Sequence, residues 1–299
     1  MKNKKNVVIT GGNSGLGFAA ASRIAAQSEA YHLVLACRDM QKAEQAVAAI
    51  VEETGNKAVS AMELDVASLD SVRAFAANFK ERHASLYGLI CNAGIVGSSV
   101  GASPEGFDIV FATNHLGHFL LTNLLLPIME TNGRVISVSS DMHSPPSGEL
   151  TWYGVPAIAY PNEELGTLRY SYSKLCNLYF TYELARKLNV IHSDITANAF
   201  NPGLLTDTNF AKDKSRFTEA FLASVADRIG ALPVSSQALA DMILKEEYAT
   251  MTGKFIDRGI LTPSSPISYQ TENAQELWNT STAYTHLKKE EMLSGLGEA

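Results

Sequence analysis

Two residues one helical turn apart, Tyr170 and Lys174 in Tyr170-Ser171-Tyr172-Ser173-Lys174, could together run proton chemistry. Positions i and i+4 share one face of a helix. A free phenol ionises near pH 10 and is a poor base at neutral pH, whereas an ammonium beside it favours the phenolate. This spacing also arises by chance, so the pair needs company. Upstream, Val135-Ile136-Ser137-Val138-Ser139-Ser140 reads as a strand. If it ends at the carboxyl edge of an open sheet, where such proteins bind ligands, Ser140 could hold a substrate oxygen against Tyr170. Asn114, in Thr113-Asn114-His115-Leu116-Gly117-His118, could order a water that relays protons to Lys174.

A second cluster suits a phosphate. Thr10-Gly11-Gly12-Asn13-Ser14-Gly15-Leu16-Gly17 lies between an apolar run and an alanine-rich helical pattern. Glycines there permit a tight turn and let the backbone approach a pyrophosphate at a helix N-terminus, although turn glycines also serve structure alone. The spacing is GxxxGxG, over Gly11, Gly15 and Gly17. Some twenty residues on, Ala36-Cys37-Arg38-Asp39 ends the next strand pattern. NAD-binding proteins of this kind place an acid there for the ribose 2′-hydroxyl, whereas a guanidinium at Arg38 suits a 2′-phosphate. The expectation is NADP(H), with NAD(H) as the second cofactor. The alternative leaves Arg38 as a surface charge and gives the ribose to Asp39.

The elements that must position these residues alternate along the chain. Strand patterns at Val7–Thr10, His32–Ala36, Ala58–Leu64, Leu86–Cys91, Arg134–Ser139 and Ile195–Phe200 are interleaved with helical ones. The helical patterns fall at Leu16–Gln27, Gln41–Glu53, Leu69–Lys80, Phe107–Met129 and Tyr170–Leu188. Alternation of this length implies right-handed βαβ units and a parallel sheet covered on both faces. Beyond Asn201-Pro202-Gly203 the pattern loosens. A helical stretch at Phe217–Ile229, a helix at Ser235–Tyr248 capped by Ser235 or Ser236, a last strand at Gly253–Ile256 and a helix near Ala274–Leu287 are expected. The fold class is α/β: one Rossmann-type doubly wound parallel sheet of about seven strands, forming a single domain over 1–299. A substrate lid is expected over about 204–232 and a C-terminal tail over about 262–299.

Composition narrows the function classes. A net charge of −7 argues against a nucleic-acid surface. Cys37, Cys91 and Cys176, without a CxxC pair, give neither a disulfide framework nor a zinc pattern and read as buried thiols. His115 and His118 lie one turn apart but lack a third ligand at useful spacing, and no metal is expected. No apolar run approaches a membrane span, and the basic start lacks a signal-peptide core. Cytoplasmic location without a stable membrane anchor is the expectation.

Taken together, the motifs resemble the short-chain dehydrogenase/reductase family. The matches are the TGxxxGxG turn, Asn92-Ala93-Gly94 after the fourth strand, the helix asparagine, the serine, YxxxK, and Pro202-Gly203 after the sixth strand. They run in the family's order over residues 7 to about 260. The resemblance implies a catalytic tetrad of Ser140, Tyr170, Lys174 and Asn114, with Tyr170 the acid in reduction and the base in oxidation. It implies cofactor contacts from Gly11, Asn13, Ser14, Gly15, Leu16, Gly17, Arg38, Val66, Ala93, Gly94, Tyr170, Lys174, Pro202 and Gly203. Asp65 would lie near the adenine and Asn92 near its ribose.

Within the family, Ala36-Cys37-Arg38-Asp39, Thr113–Leu121, Ser173-Lys174-Leu175-Cys176-Asn177 and Glu276-Leu277-Trp278 are similar to the retinol dehydrogenase and protochlorophyllide reductase-like branch. That branch implies NADP(H) and a small apolar carbonyl or alcohol as partner. The light-dependent reductases carry a cysteine where this chain has Leu204, so photochemistry is not expected. The family pairs through the helices at Phe107–Met129 and Tyr170–Leu188, and a long segment before Tyr170 can block this, so a homodimer and a monomer both stay open. The segment 141–169, with Trp152, Tyr153 and Tyr160, either walls the substrate pocket with the lid or packs on its own aromatics. A noncatalytic NADP(H)-binding regulator or scaffold is the alternative function.

Overall fold

A computed structural model describes residues 4–27, 29–97, 100–208, 210 and 217–299. Its centre is one eight-stranded sheet in the order β3-β2-β1-β4-β5-β6-β7-β8. The strands are β1 Lys5–Thr10, β2 Tyr31–Cys37, β3 Val59–Glu63, β4 Leu86–Cys91, β5 Met129–Val138, β6 Thr196–Asn201, β7 Phe255–Asp257 and β8 Ile260–Leu261. Seven run parallel, and β8 turns back antiparallel on β7. The eighth strand has only two residues, both exposed, too short to leave a periodic signal.

Helices cover both faces, as the apolar strands require. On one face, α1 Gly15–Gln27, α2 Met40–Thr54 and α9 Leu232–Leu244 enclose a core that includes Ile9, Ile24, Leu33, Leu35 and Ile243. On the other lie α3 Leu69–Arg82, α5 Gly117–Leu125, α7 Leu168–Val190 and α10 Thr271–Tyr284, around Phe75, Phe79, Phe119, Tyr179 and Trp278. The sheet changes direction between β1 and β4: β2 and β3 extend to one side, β4 to β8 to the other. Crevices at such reversals are where open α/β sheets take ligands.

Several expectations need correction. The helix expected at Phe107–Met129 is interrupted: α4 Ile109–Phe111 passes through a π-helical turn, Ala112–Leu116, before α5 and a final 3₁₀ turn, Leu126–Ile128. A Cβ on Gly117 would run into the Val66 carbonyl, so only glycine lets this helix seat against β3's exit loop. The stretch Ile109–Ile128 does reach the length and apolarity of a membrane span, against the sequence expectation, and it is 94% buried inside the fold as a core helix.

The helix α9 starts at Leu232, and neither Ser235 nor Ser236 caps it. Pro233 occupies its first turn, where a missing N–H costs nothing. Ser235 instead donates to the Pro202 carbonyl at 2.6 Å, and Ser236 accepts from Arg23 Nε at 2.7 Å. Phe217–Ile229 yields only the short α8, Glu219–Ser224, and a 3₁₀ turn, Ala226–Arg228. Within the expected lid, residues 209 and 211–216 lie outside the described residues. The tail is an integral part of the core: Ile267, Ala274, Leu277, Trp278, Leu287, Met292 and Leu296 are all buried in it.

Candidate active site at the carboxyl edge of the sheet

Thr10, Cys37, Asn92 and Ser139-Ser140 stand at or just beyond the ends of β1, β2, β4 and β5, so parallel pairing alone brings them to one edge. Gly11 and Gly15 adopt φ of +65° and +54°, a conformation that side-chain-bearing residues avoid. A Cβ on Gly17 would lie 2.5 Å from Asn92 Nδ2, so that glycine brings α1 against β4. The backbone of Gly12 and Asn13 faces the Cys37 thiol, Ser14 opens α1 by accepting from Phe18 N, and Leu16 is buried in the first turn. Asn92 holds the turn closed: its Nδ2 donates to Thr10 O at 2.8 Å, while Thr10 Oγ1 accepts from the Asn92 and Ala93 amides at 2.9 Å each.

Arg38 lies at the mouth of this edge with its side chain 78% exposed and pairs with Asp65 at 3.8 Å. Asp39 is committed elsewhere. It caps α2 through Lys42 N at 3.1 Å and pairs with Lys42 Nζ at 2.9 Å. Both groups proposed for the ribose therefore reach solvent, Arg38 almost freely and Asp39 through its cap and ion pair. Asp65 also accepts from Ala67 N, and Val66 packs its carbonyl on Gly117. The glycine turn at the start of α1 fits the pyrophosphate of a nicotinamide dinucleotide.

The proton-handling residues meet on the other side of the edge. Tyr170 is half-buried near the N-terminus of α7, and burial pushes its phenol above the ordinary value, while the Ser140 hydroxyl within reach pulls the other way. Lys174 is almost fully buried one turn on, its Nζ 5.5 Å from the centre of the Tyr170 ring and donating to Val138 O at 2.9 Å. Burial lowers its ammonium to about 7. The two serines at the end of β5 separate by role: Ser139 turns inward to the Lys174 carbonyl, and Ser140 faces Tyr170.

Asn114 sits in the π-helical turn and joins this group. Its side chain accepts from Ile95 N at 2.8 Å and donates to Ile95 O and Ser173 Oγ at 2.9 Å each. Ser173 in turn donates to Tyr170 O at 2.7 Å. The Asn114 side chain is therefore a clamp between the β4 exit loop and the catalytic helix, not a group directed at Lys174. Gly94 lies against Asn114 Oδ1. Pro202 and Gly203 close the far side, with φ of +74° at Gly203 where the chain leaves β6. There Leu204 N donates to Arg228 O and Gly230 N to Leu204 O. The residues after Leu204 reach back over the edge: Thr208 adjoins Gly15, and the Phe210 ring lies 6.0 Å from that of Tyr170.

The aromatics of the segment 141–169 pack against the body of the fold and not on one another. Trp152 donates to Glu276 Oε2 at 2.7 Å and packs edge-on against Tyr179, and Tyr160 packs on Phe107 and Tyr284. These aromatics, on either side of the short α6 (Val155–Ala159), face α10 and the tail. Among the described residues, the start of the segment meets Arg228 through Asp141 and Ser144.

Three residues given no part in the site by the sequence reading tie its surroundings together. His118 accepts at Nε2 from Thr10 Oγ1 at 2.9 Å and approaches Asn114 O through Nδ1 at 3.3 Å, tying the glycine turn to the π-helical turn. His115 bonds Ser281 Oγ at 2.9 Å. Asp141 accepts from Ser140 Oγ at 3.1 Å. Adjacency to a motif serine was the one signal available for Asp141.

Comparison with known proteins places this geometry. Residues 5–155 match the family model described as short chain dehydrogenase. Retinol dehydrogenase 13 of Homo sapiens is 34% identical over 292 residues, covering 95% of this chain and 85% of that protein. The WW domain-containing oxidoreductase of Homo sapiens is 37% identical over 73% of this chain, which spans about half (53%) of that relative's length. A solved structure of an uncharacterised protein from Mycobacterium paratuberculosis superposes with a TM-score of 0.69 at 30% identity, covering 95% of this chain and 94% of that one. The chain belongs to the short-chain dehydrogenase family of NAD(P)-dependent oxidoreductases, in its retinol dehydrogenase-like branch.

Proposed function

We propose that this protein is an NADP(H)-dependent oxidoreductase that interconverts a carbonyl and an alcohol on a small, fairly apolar molecule, with Tyr170 as general acid in reduction and general base in oxidation. The observation that carries the reading is the convergence of Ser140, Tyr170 and Lys174 beside the glycine turn at one edge of the sheet. Bound NADP(H) supplies or accepts the hydride at its nicotinamide ring. Arg38 would hold its 2′-phosphate, and Gly11 to Gly17 its pyrophosphate.

The chain's own groups handle orientation and the proton. Ser140 Oγ orients the substrate oxygen, and Tyr170 Oη gives it a proton as the carbonyl becomes an alcohol. Lys174 lies where its positive charge favours the phenolate when the reaction runs the other way. Asn114 and Ser173 fix the first turn of α7, and so the place of Tyr170. The Phe210 ring beside Tyr170 supports an apolar body for the substrate. The same reading makes the chain monomeric through its α5–α7 face, which α10 covers.

The test is Tyr170→Phe, assayed with NADPH and a set of long-chain aldehydes. Turnover should fall by about three orders of magnitude with NADPH binding kept, because only the proton donor is lost. A variant that turns over like the wild type refutes the mechanism, and wild-type binding without any turnover favours the scaffold alternative.

A further inference from the structure

We propose that His118 is a positioning residue for the reaction: through its two ring nitrogens it ties the glycine turn, where the cofactor's pyrophosphate would lie, to the π-helical turn that holds Tyr170 in place. The inference rests on the catalytic reading above and adds to it a buried residue behind the site.

The hydrogen bonds around Thr10 and His118 run in one direction. Thr10 Oγ1 accepts from the Asn92 and Ala93 amides at 2.9 Å each, which takes both lone pairs of the hydroxyl. Its proton is left for an acceptor, and His118 Nε2 at 2.9 Å is nearer than Ile90 O at 3.4 Å. Nε2 must therefore be bare. Nδ1 lies 3.3 Å from Asn114 O, and a carbonyl only accepts, so Nδ1 carries the ring proton. Both contacts ask for the same neutral tautomer. Burial, joined by the nearby charge of Lys174, keeps the ring neutral by lowering it to about 4.

From this ring the bonds continue into both halves of the site. On the cofactor side, Asn92 Nδ2 donates to Thr10 O at 2.8 Å. A Cβ on Gly11 would lie 3.1 Å from Ala93 Cα, so the β4 exit loop and the glycine turn are packed together around the Thr10 hydroxyl. On the catalytic side, Asn114 Nδ2 donates to Ser173 Oγ at 2.9 Å, and Ser173 donates to Tyr170 O at 2.7 Å. Thr10 and His118 are both buried, so no bulk water is at hand to replace a lost bond at either nitrogen. Nε2 thus serves the backbone that would face the pyrophosphate, and Nδ1 serves the turn from which Tyr170 is held. Cofactor affinity and turnover separate at a single ring.

The experiment separates the two nitrogens by substitution. In His118→Gln the longer amide can accept from Thr10 where Nε2 did, with no donor left at the Nδ1 position. In His118→Asn an amide N–H stands where Nδ1 was and can donate to the carbonyl one turn back, as Asn123 does to Phe119 O at 2.9 Å, but the side chain is too short for Thr10. His118→Leu loses both bonds. NADPH affinity is read by fluorescence titration, and kcat by decanal reduction at saturating NADPH. His118→Leu should lose about tenfold in each, the scale of one buried hydrogen bond on each side. His118→Gln should recover the affinity and not kcat, and His118→Asn should recover kcat and not the affinity. Gln and Asn variants that behave alike in both constants, as a merely structural role requires, overturn the inference, and so does a Leu variant that keeps both. If the Leu variant does not fold, the Gln and Asn variants are compared with the wild type and decide the matter. A wild-type protein that binds NADPH and does not reduce decanal counts against the function proposed above, and the affinity order of the Gln and Asn variants, which needs no substrate, still decides this one.

Discussion

The carboxylate of Asp108 and the guanidinium of Arg169 lie 3.5 Å apart with both side chains almost wholly withdrawn from water. Asp108 opens α4, accepting from the Val110 and Phe111 amides, and Arg169 directly precedes Tyr170. The pair therefore joins the starts of the helical runs that carry Asn114 and Tyr170. A buried ion pair adds little net stability over an apolar replacement, but losing one partner strands the other charge. Arg169→Met should cost about 3–5 kcal/mol in urea unfolding, and Asp108→Asn with Arg169→Met should recover a large part of it. If the double variant is as unstable as the sum of the singles, the two residues are not coupled and this account of their role fails.

Arg38 makes a prediction about the cofactor. With its side chain mostly in water and one long contact to Asp65, it contributes little to the fold. Arg38→Ala should leave the melting temperature within a degree or two. It should weaken NADPH binding about 10- to 100-fold, the loss of one or two charge-assisted hydrogen bonds, with NADH affinity little changed. Fluorescence titration with each nucleotide measures this. Equal losses for both nucleotides would mean that Arg38 does not read the 2′-phosphate.

Much of this site was legible because the fold converts sequence order into position. In a parallel sheet each strand ends at the same edge, so Gly11, Asn92, Ser140 and Gly203 converge once the strands are recognised. The Tyr170–Lys174 pair needed only helical periodicity. Contacts between distant segments left no such trace. The π-helical turn at Asn114 depends on how Gly117 meets Val66, some fifty residues away, and the Thr10–His118 bond spans 108 positions. The start of α9 was misplaced because its two serines are drawn off to Pro202 and Arg23, a competition invisible along the chain.

The buried histidines set an acid limit on stability. Burial lowers His115 to about 3 and His118 to about 4, from 6.5 in the free side chain. The unfolded chain therefore binds protons that the native state refuses as pH falls through 6.5. Stability is fully present above that value and is lost on the way down to the native values, by up to about 1.4 kcal/mol per pH unit for each such histidine. Urea midpoints should drop between pH 7 and pH 5, before most carboxylates titrate. His118→Gln, which can still accept from Thr10, should flatten that slope by about one proton. A stability profile that is level over this range would show that the rings are not held neutral.

The C-terminal helix predicts the state of association. Trp278 packs edge-on against Phe119 with ring centres 5.1 Å apart and stacks on Phe180 at 6.0 Å. Ser281 bonds His115, Asn273 donates to Tyr179 Oη, and Arg73 reaches Thr285 O and Glu291. The face of α5 and α7 that would meet a second subunit is thus already buried by the chain's own tail, with every residue of α5 buried. Light scattering on a sizing column should give the mass of one 32.3 kDa chain. Trp278→Ala should cost about 3–5 kcal/mol, since a large aromatic leaves a cavity that the two phenylalanines cannot fill. Cutting the chain after Thr262 should bare Phe119 and Phe180 together, an apolar patch that drives self-association or aggregation. A full-length dimer that survives dilution, together with a truncated chain that stays monomeric and folded, would show that the tail is not what occupies this face.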